Sequence, residues 1–140
     1  MDTHIDVRTV VTYLSDALMC SNRVIASLIG VNESTISGNL NKSIEELLSK
    51  KTGRRLSNFA VVVSHFYEKG LKHAAILELV NIPIYPDLDG NLDSIKSAIA
   101  LEKYSANTLI QMGEMAYVEY QRKHHERNVI GEQIKELLAV

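Results

Sequence analysis

Between Arg23 and Asn41 the chain permits very few folds. The stretch reads Arg23-Val24-Ile25-Ala26-Ser27-Leu28-Ile29-Gly30-Val31-Asn32-Glu33-Ser34-Thr35-Ile36-Ser37-Gly38-Asn39-Leu40-Asn41. Ala26 is small enough for two helices to cross over it. Gly30, four positions later, tolerates a tight turn, and Val31 and Ile36 supply apolar anchors facing back onto the first helix of the pair. This pattern predicts a helix-turn-helix. Its bland alternative is a helical hairpin that only packs or dimerises.

The rest of the chain repeats the helical period. Val7, Val10, Val11, Leu14, Ala17 and Leu18 fall on one face of a first helix. Ser21 or Asn22 is suited to cap a second helix carrying Val24, Ile25, Leu28 and Ile29, and Asn32 to cap a third over roughly 33–40. Ser43-Ile44-Glu45-Glu46 fits a capping box opening a short fourth helix. The run Lys50-Lys51-Thr52-Gly53-Arg54-Arg55 reads as a basic linker and as the boundary between two units, residues 1–55 and 56–140. Beyond it, Leu56 to Lys69 keeps helical spacing up to Gly70, and Leu71 to Val80 continues as helix. Two prolines and an Asp-Gly pair force a loop from Ile82 to Asn91. Helices resume near Asp93 and again after Ser105, the last running long before weakening around Gly131. The expected class is all-α, a helix-turn-helix bundle followed by a second helical unit with a long C-terminal helix.

Composition bounds the function. With 140 residues, 46% hydrophobic, the chain can bury a core, and 15 basic against 17 acidic side chains give a net charge of -2. Nucleic-acid binding therefore has to rest on a local patch. A single cysteine, Cys20, excludes an internal disulfide and a cysteine-based zinc site and suits a reducing cytosol. The opening Met1-Asp2-Thr3-His4 lacks a basic segment followed by an apolar run, and no stretch approaches eighteen apolar residues, so neither secretion nor a membrane span is expected. Low aromatic content and the absence of Trp argue against a large enzyme pocket.

On the third helix the residues expected to project outward are Glu33, Ser34, Thr35, Ser37 and Asn39, with Arg23, Asn32, Asn41 and Lys42 flanking them. Short hydroxyls and amides bond phosphates and base edges at low entropic cost. The segment Val31-Asn32-Glu33-Ser34-Thr35-Ile36-Ser37 resembles the turn and recognition helix of repressors of the lac and Xre groups, where a V-S-x-x-T-V-S-R core is common. It departs from that pattern at Gly38, in place of a basic residue, and at Asn39, in place of an apolar one. The basic run after Lys50 offers further phosphate contacts, with a solvated loop as the alternative.

A second stretch, Ala74 to Ile95, resembles the C-terminal domain of Xre/MbcA/ParS-type antitoxins, with Leu79, Asn81, Pro83, Leu88 and Gly90 matching the order of that family's loop and without its tryptophan. The resemblance spans roughly residues 20–120. It implies a dimer that reads operator DNA, represses its own operon and neutralises a cognate protein toxin through the C-terminal half. The partner-binding residues would be Asn81, Pro83, Tyr117, Tyr120, Ile134, Leu137 and Leu138. Leu109, Met112, Tyr117 and Tyr120 carry more apolar surface than one small bundle obviously buries, which also predicts a dimer.

Catalytic patterns fail on inspection. Asp87, Asp89, Asn91 and Asp93 alternate like a calcium loop, but its sixth and twelfth positions hold Leu92 and Ala98 instead of Gly and Glu. His124 and His125 project about 100° apart around a helix, a poor ligand geometry. Cys20 has no evident base and reads as a small semi-buried filler. Catalysis, metal and cofactor are therefore not expected. A non-catalytic helical adaptor without DNA binding is the competing reading.

Overall fold

The first helix starts where Asp6 accepts two bonds from Thr9, 2.8 Å from its amide and 2.7 Å from its hydroxyl; these bonds hold the carboxyl below the ordinary range. The computed structural model describes residues 5–86, 90–95 and 103–139. Over these the chain is all-α, with seven helices: α1 Val7–Leu18, α2 Asn22–Ile29, α3 Glu33–Ser37, α4 Ile44–Leu47, α5 Lys51–Glu68, α6 His73–Asn81 and α7 Ala106–Leu138. The apolar spacing of α1 buries Val7, Val11, Leu14, Ala17 and Leu18, and Val10 packs against them half-buried. α1 ends at Met19, in the left-handed region with φ 52° and ψ 51° and its side chain in solvent.

The run 50–55 is not a linker. Lys51 to Arg55 form the opening turns of α5, the 18-residue helix at the centre of the molecule. Gly53 explains why: a Cβ there would lie 1.9 Å from the carbonyl oxygen of Leu47, so α4 and α5 meet backbone to backbone. From α5, Leu56, Phe59, Val62, Val63 and Phe66 are buried, each contributing roughly 1.5–3 kcal/mol by removal from water. They join residues of α1, α2, α3, α6 and α7 in one contiguous core that crosses the expected 55/56 boundary.

Three other expectations are corrected. α3 stops at Ser37 instead of continuing to Leu40, because the Asn39 amide donates to the Thr35 carbonyl at 2.6 Å and closes the turn. Asp93 is not helical: Leu92–Asp93 (β2) pairs antiparallel with Tyr85–Pro86 (β1), opposing Tyr85 to Asp93 and Pro86 to Leu92. Within the Ile82–Asn91 loop this is the only regular pairing among the described residues; Asp87, Leu88 and Asp89 lie outside them. α7 does not weaken at Gly131. Capped by Ser105, whose hydroxyl accepts from the Thr108 amide at 3.2 Å, it runs unbroken to Leu138. No described helix is long and apolar enough to cross a membrane.

Candidate nucleic-acid interface

The interface is built on the α2–α3 turn. Ser21 caps α2, its hydroxyl accepting from the Val24 amide, and Ile25, Ala26 and Ile29 bury the inner face. Gly30 sits at φ 71°, ψ 39°, a left-handed conformation that costs glycine little, and its N–H satisfies the carbonyls of Ala26 and Ser27. Val31 follows with a 3.0 Å bond to the Ala26 carbonyl. Asn32 occupies the cap position of α3, yet its side chain makes no capping bond. The Asn32 carbonyl, not its amide group, takes the first helical bonds from Thr35 and Ile36.

Ile36 is the single buried residue of α3 and anchors it to the core. Glu33, Ser34, Thr35 and Ser37 are left in solvent, as the helical period requires. Asn39 lies past the helix and spends its amide on Thr35, which removes it from the outward row. Asn41 accepts from the Arg8 guanidinium at 3.2 Å, while the Lys42 carbonyl accepts from the Val7 amide at 2.9 Å. The segment after α3 is thereby stitched to the start of α1, with the Lys42 side chain exposed.

Sequence reasoning missed the residue that fixes this turn from behind. Arg55 is 4% exposed, and its Nη1 donates to the carbonyls of Ile29 at 3.0 Å and Gly30 at 2.9 Å. These are C-terminal carbonyls of α2 that lack helical partners, so a buried cation there offsets the negative end of the helix. Its partners are 25 and 26 residues away, and no local signal distinguishes Arg55 from its neighbour Arg54. Arg54 instead donates to the Ser49 carbonyl at 2.8 Å. Of the basic run, Lys50 and Lys51 remain exposed. Lys51 and Thr52 line a polar hollow of about 470 Å³ together with Gly30, Val31, Asn32 and Thr35, beside the outward row of α3.

Charge pairing divides the chain. The ion pairs formed between two described residues all lie beyond residue 64: Lys69 with Glu114, Arg122 with Glu119 and Glu126, Arg127 with Glu78 and Lys135 with Glu132, and the His65 imidazole hydrogen-bonds Glu114 in the same region. Arg23, Lys42, Lys50 and Lys51 make no ion pair among the described residues. The cluster of His65, Lys69 and Glu114 joins α5 to α7; His65 Nε2 lies 2.5 Å from Glu114 Oε1, and bonds from His65 and Lys69 hold the Glu114 carboxyl below the ordinary glutamate range. Its members are 45 and 49 residues apart, beyond the reach of a local motif.

The expected partner residues separate into three groups. Asn81 closes its own helix, donating to the Leu77 carbonyl at 2.7 Å, and Pro83 is exposed. Tyr117 and Tyr120 are half-buried and engaged at home. Their rings stack 6.5 Å apart, Lys69 lies over Tyr117, and His124 stacks on Tyr120. Leu109 is fully buried and Met112 packs on the core, so these four do not form the surplus surface expected from sequence. Ile134, Leu137 and Leu138 are exposed. Cys20 is half-buried, and burial pushes its thiol pKa up, favouring the neutral form. Among the described residues no three His, Cys, Asp or Glu side chains gather as a metal site would require.

In comparisons with known proteins, no family model matches the chain, and no significant match was found among curated proteins or solved structures.

Proposed function

We propose that the chain is a non-catalytic, cytosolic DNA-binding regulator of the antitoxin type, which reads operator DNA through α2 and α3, represses its own operon and neutralises a protein toxin through its C-terminal half. The observation that supports DNA reading is the pairing of two features. Asn32, Ser34, Thr35 and Ser37 stand exposed on a short helix pinned by Ile36 and the Arg55-held turn, and Arg23, Lys42, Lys50 and Lys51 lie on the same helix-turn-helix half without carboxylate partners among the described residues. Such cations exchange condensed counterions for phosphate contacts, while the short polar row is sized for base edges. The toxin-neutralising part rests on the likeness of the Ala74–Ile95 stretch to antitoxins of the Xre/MbcA/ParS type.

Fluorescence anisotropy against the DNA upstream of its own gene tests the reading. Thr35→Ala with Ser37→Ala is expected to weaken specific binding by about 1–3 kcal/mol for each base edge no longer hydrogen-bonded, with non-specific binding little changed. No binding by the unaltered chain at low salt rejects it. The exposed apolar side chains of the α7 tail favour one second reading, a helical adaptor that holds a partner without DNA. That reading expects no DNA binding under the same conditions.

A further inference from the structure

The outward row at α3 holds its polar groups in reserve. Among the described residues, the side chains of Asn32, Glu33, Ser34, Thr35 and Ser37 make no hydrogen bond within the chain; the Asn39 amide takes the Thr35 backbone carbonyl, not its hydroxyl. Nor does Glu33 have an ion-pair partner among those residues. At about 100° per residue, buried Ile36 fixes the directions of the rest. Ser34 points away from the core. Thr35 takes one flank, beside Lys51 and Thr52 in the polar hollow, and Glu33 takes the other with Ser37 one turn along.

The row is uneven in what it can read. Asn, Ser and Thr side chains both give and take hydrogen bonds, so each tolerates several base edges, whereas an ionised carboxylate only accepts. No Arg or Lys stands on α3, so this helix supplies no bidentate contact to guanine. Glu33 is therefore its one residue with a one-way demand on a base.

We propose that Glu33 is the specificity-determining residue of α3 and that it selects a cytosine in the major groove. The inference rests on the DNA-reading function proposed above. Residues at the start of a reading helix meet base edges, and Glu33 is the first residue of α3. The major groove offers two donors, the exocyclic amines of cytosine and adenine. Adenine sets its N7 acceptor beside that amine, which suits an Asn or Gln amide and repels a carboxylate. Cytosine presents its amine with no acceptor of its own beside it. Guanine N7 and O6 and thymine O4 are acceptors and oppose the carboxylate outright. Phosphates sharpen the choice. Glu33 shares their sign and lies on the flank away from the Lys51 hollow, so only a base donor offsets its approach to DNA. A wrong base is then penalised instead of merely tolerated.

Selection from a duplex library with a random central segment tests this, using the full chain, Glu33→Ala and Glu33→Gln. All three are expected to give the same circular dichroism, because the Glu33 side chain is exposed. The unaltered chain is expected to enrich a motif with a fixed G·C pair that Glu33→Ala loses and Glu33→Gln changes to A·T. Replacing that pair by A·T is expected to weaken binding by the unaltered chain about 5- to 150-fold, the span of one discriminating base contact. Both variants are expected to bind random-sequence duplex more tightly than the unaltered chain, since a charge repelled by phosphate is gone. A motif that Glu33→Ala leaves unchanged, or in which the pair it alters is A·T, overturns the proposal and leaves DNA reading standing. No enrichment by the unaltered chain overturns DNA reading itself, and this proposal with it.

Discussion

Single residues carry more of this fold than their size suggests. Gly53 is where α4 and α5 touch, and the nearest atoms an added Cβ would strike are the backbone carbonyl of Leu47, which has no rotamer to yield. Gly53→Ala is expected to destabilise the chain by about 3 kcal/mol, the upper end of ordinary overpacking costs, as read from urea unfolding. Glu114 gives a pH dependence. Its carboxyl is held below the ordinary range by His65 and Lys69, so the folded chain binds that proton less readily than the unfolded chain does. The associated stability is present in full above the unfolded pKa and fades as pH falls through the folded one. Between about pH 5 and pH 3 the unaltered chain should lose stability that a Glu114→Gln variant does not. Parallel melting-temperature profiles that never converge would remove Glu114 as the cause. Arg55 shows why some residues escape a reading of the sequence: in the run 50–55 it looks like any solvated cation, and only the fold brings the Ile29 and Gly30 carbonyls to it.

At the scale of elements, what was legible is what is local. The apolar period of α1, the serine caps of α2, α4 and α7, and the turn glycine before α3 are all determined within four residues, and the helices formed there. The outward row Glu33, Ser34, Thr35 and Ser37 was legible for the same reason, because one buried Ile36 settles which way a short helix faces. Ends were harder. Asn39 closes α3 early through a side-chain bond, and Gly131, where the sequence suggests weakening, passes inside α7 without interrupting it. The extension of α7 also yields a prediction. No residue beyond Tyr120 belongs to the core, so removing Asn128 to Val140 is expected to shift the melting temperature by no more than about 2 °C while the helical signal falls only by the residues deleted. A collapse of cooperative unfolding would mean that the tail is part of the core.

For the whole molecule, the two units expected from sequence share one interior. Val7, Leu14, Ile25 and Ile36 from the first 55 residues belong to the same cluster as Phe59, Phe66, Leu79 and Leu109. Residues 1–55 alone would expose the faces that α5 covers, and a fragment of that length is expected to be largely unfolded by circular dichroism. A cooperative thermal transition in the isolated fragment would restore the two-unit description. The uneven distribution of ion pairs has a consequence of its own. Added electrolyte screens the attractions that link α5, α6 and α7, each a small surface term. Local opening of these helices, measured by amide exchange, should therefore quicken as ionic strength rises even where the global stability hardly changes.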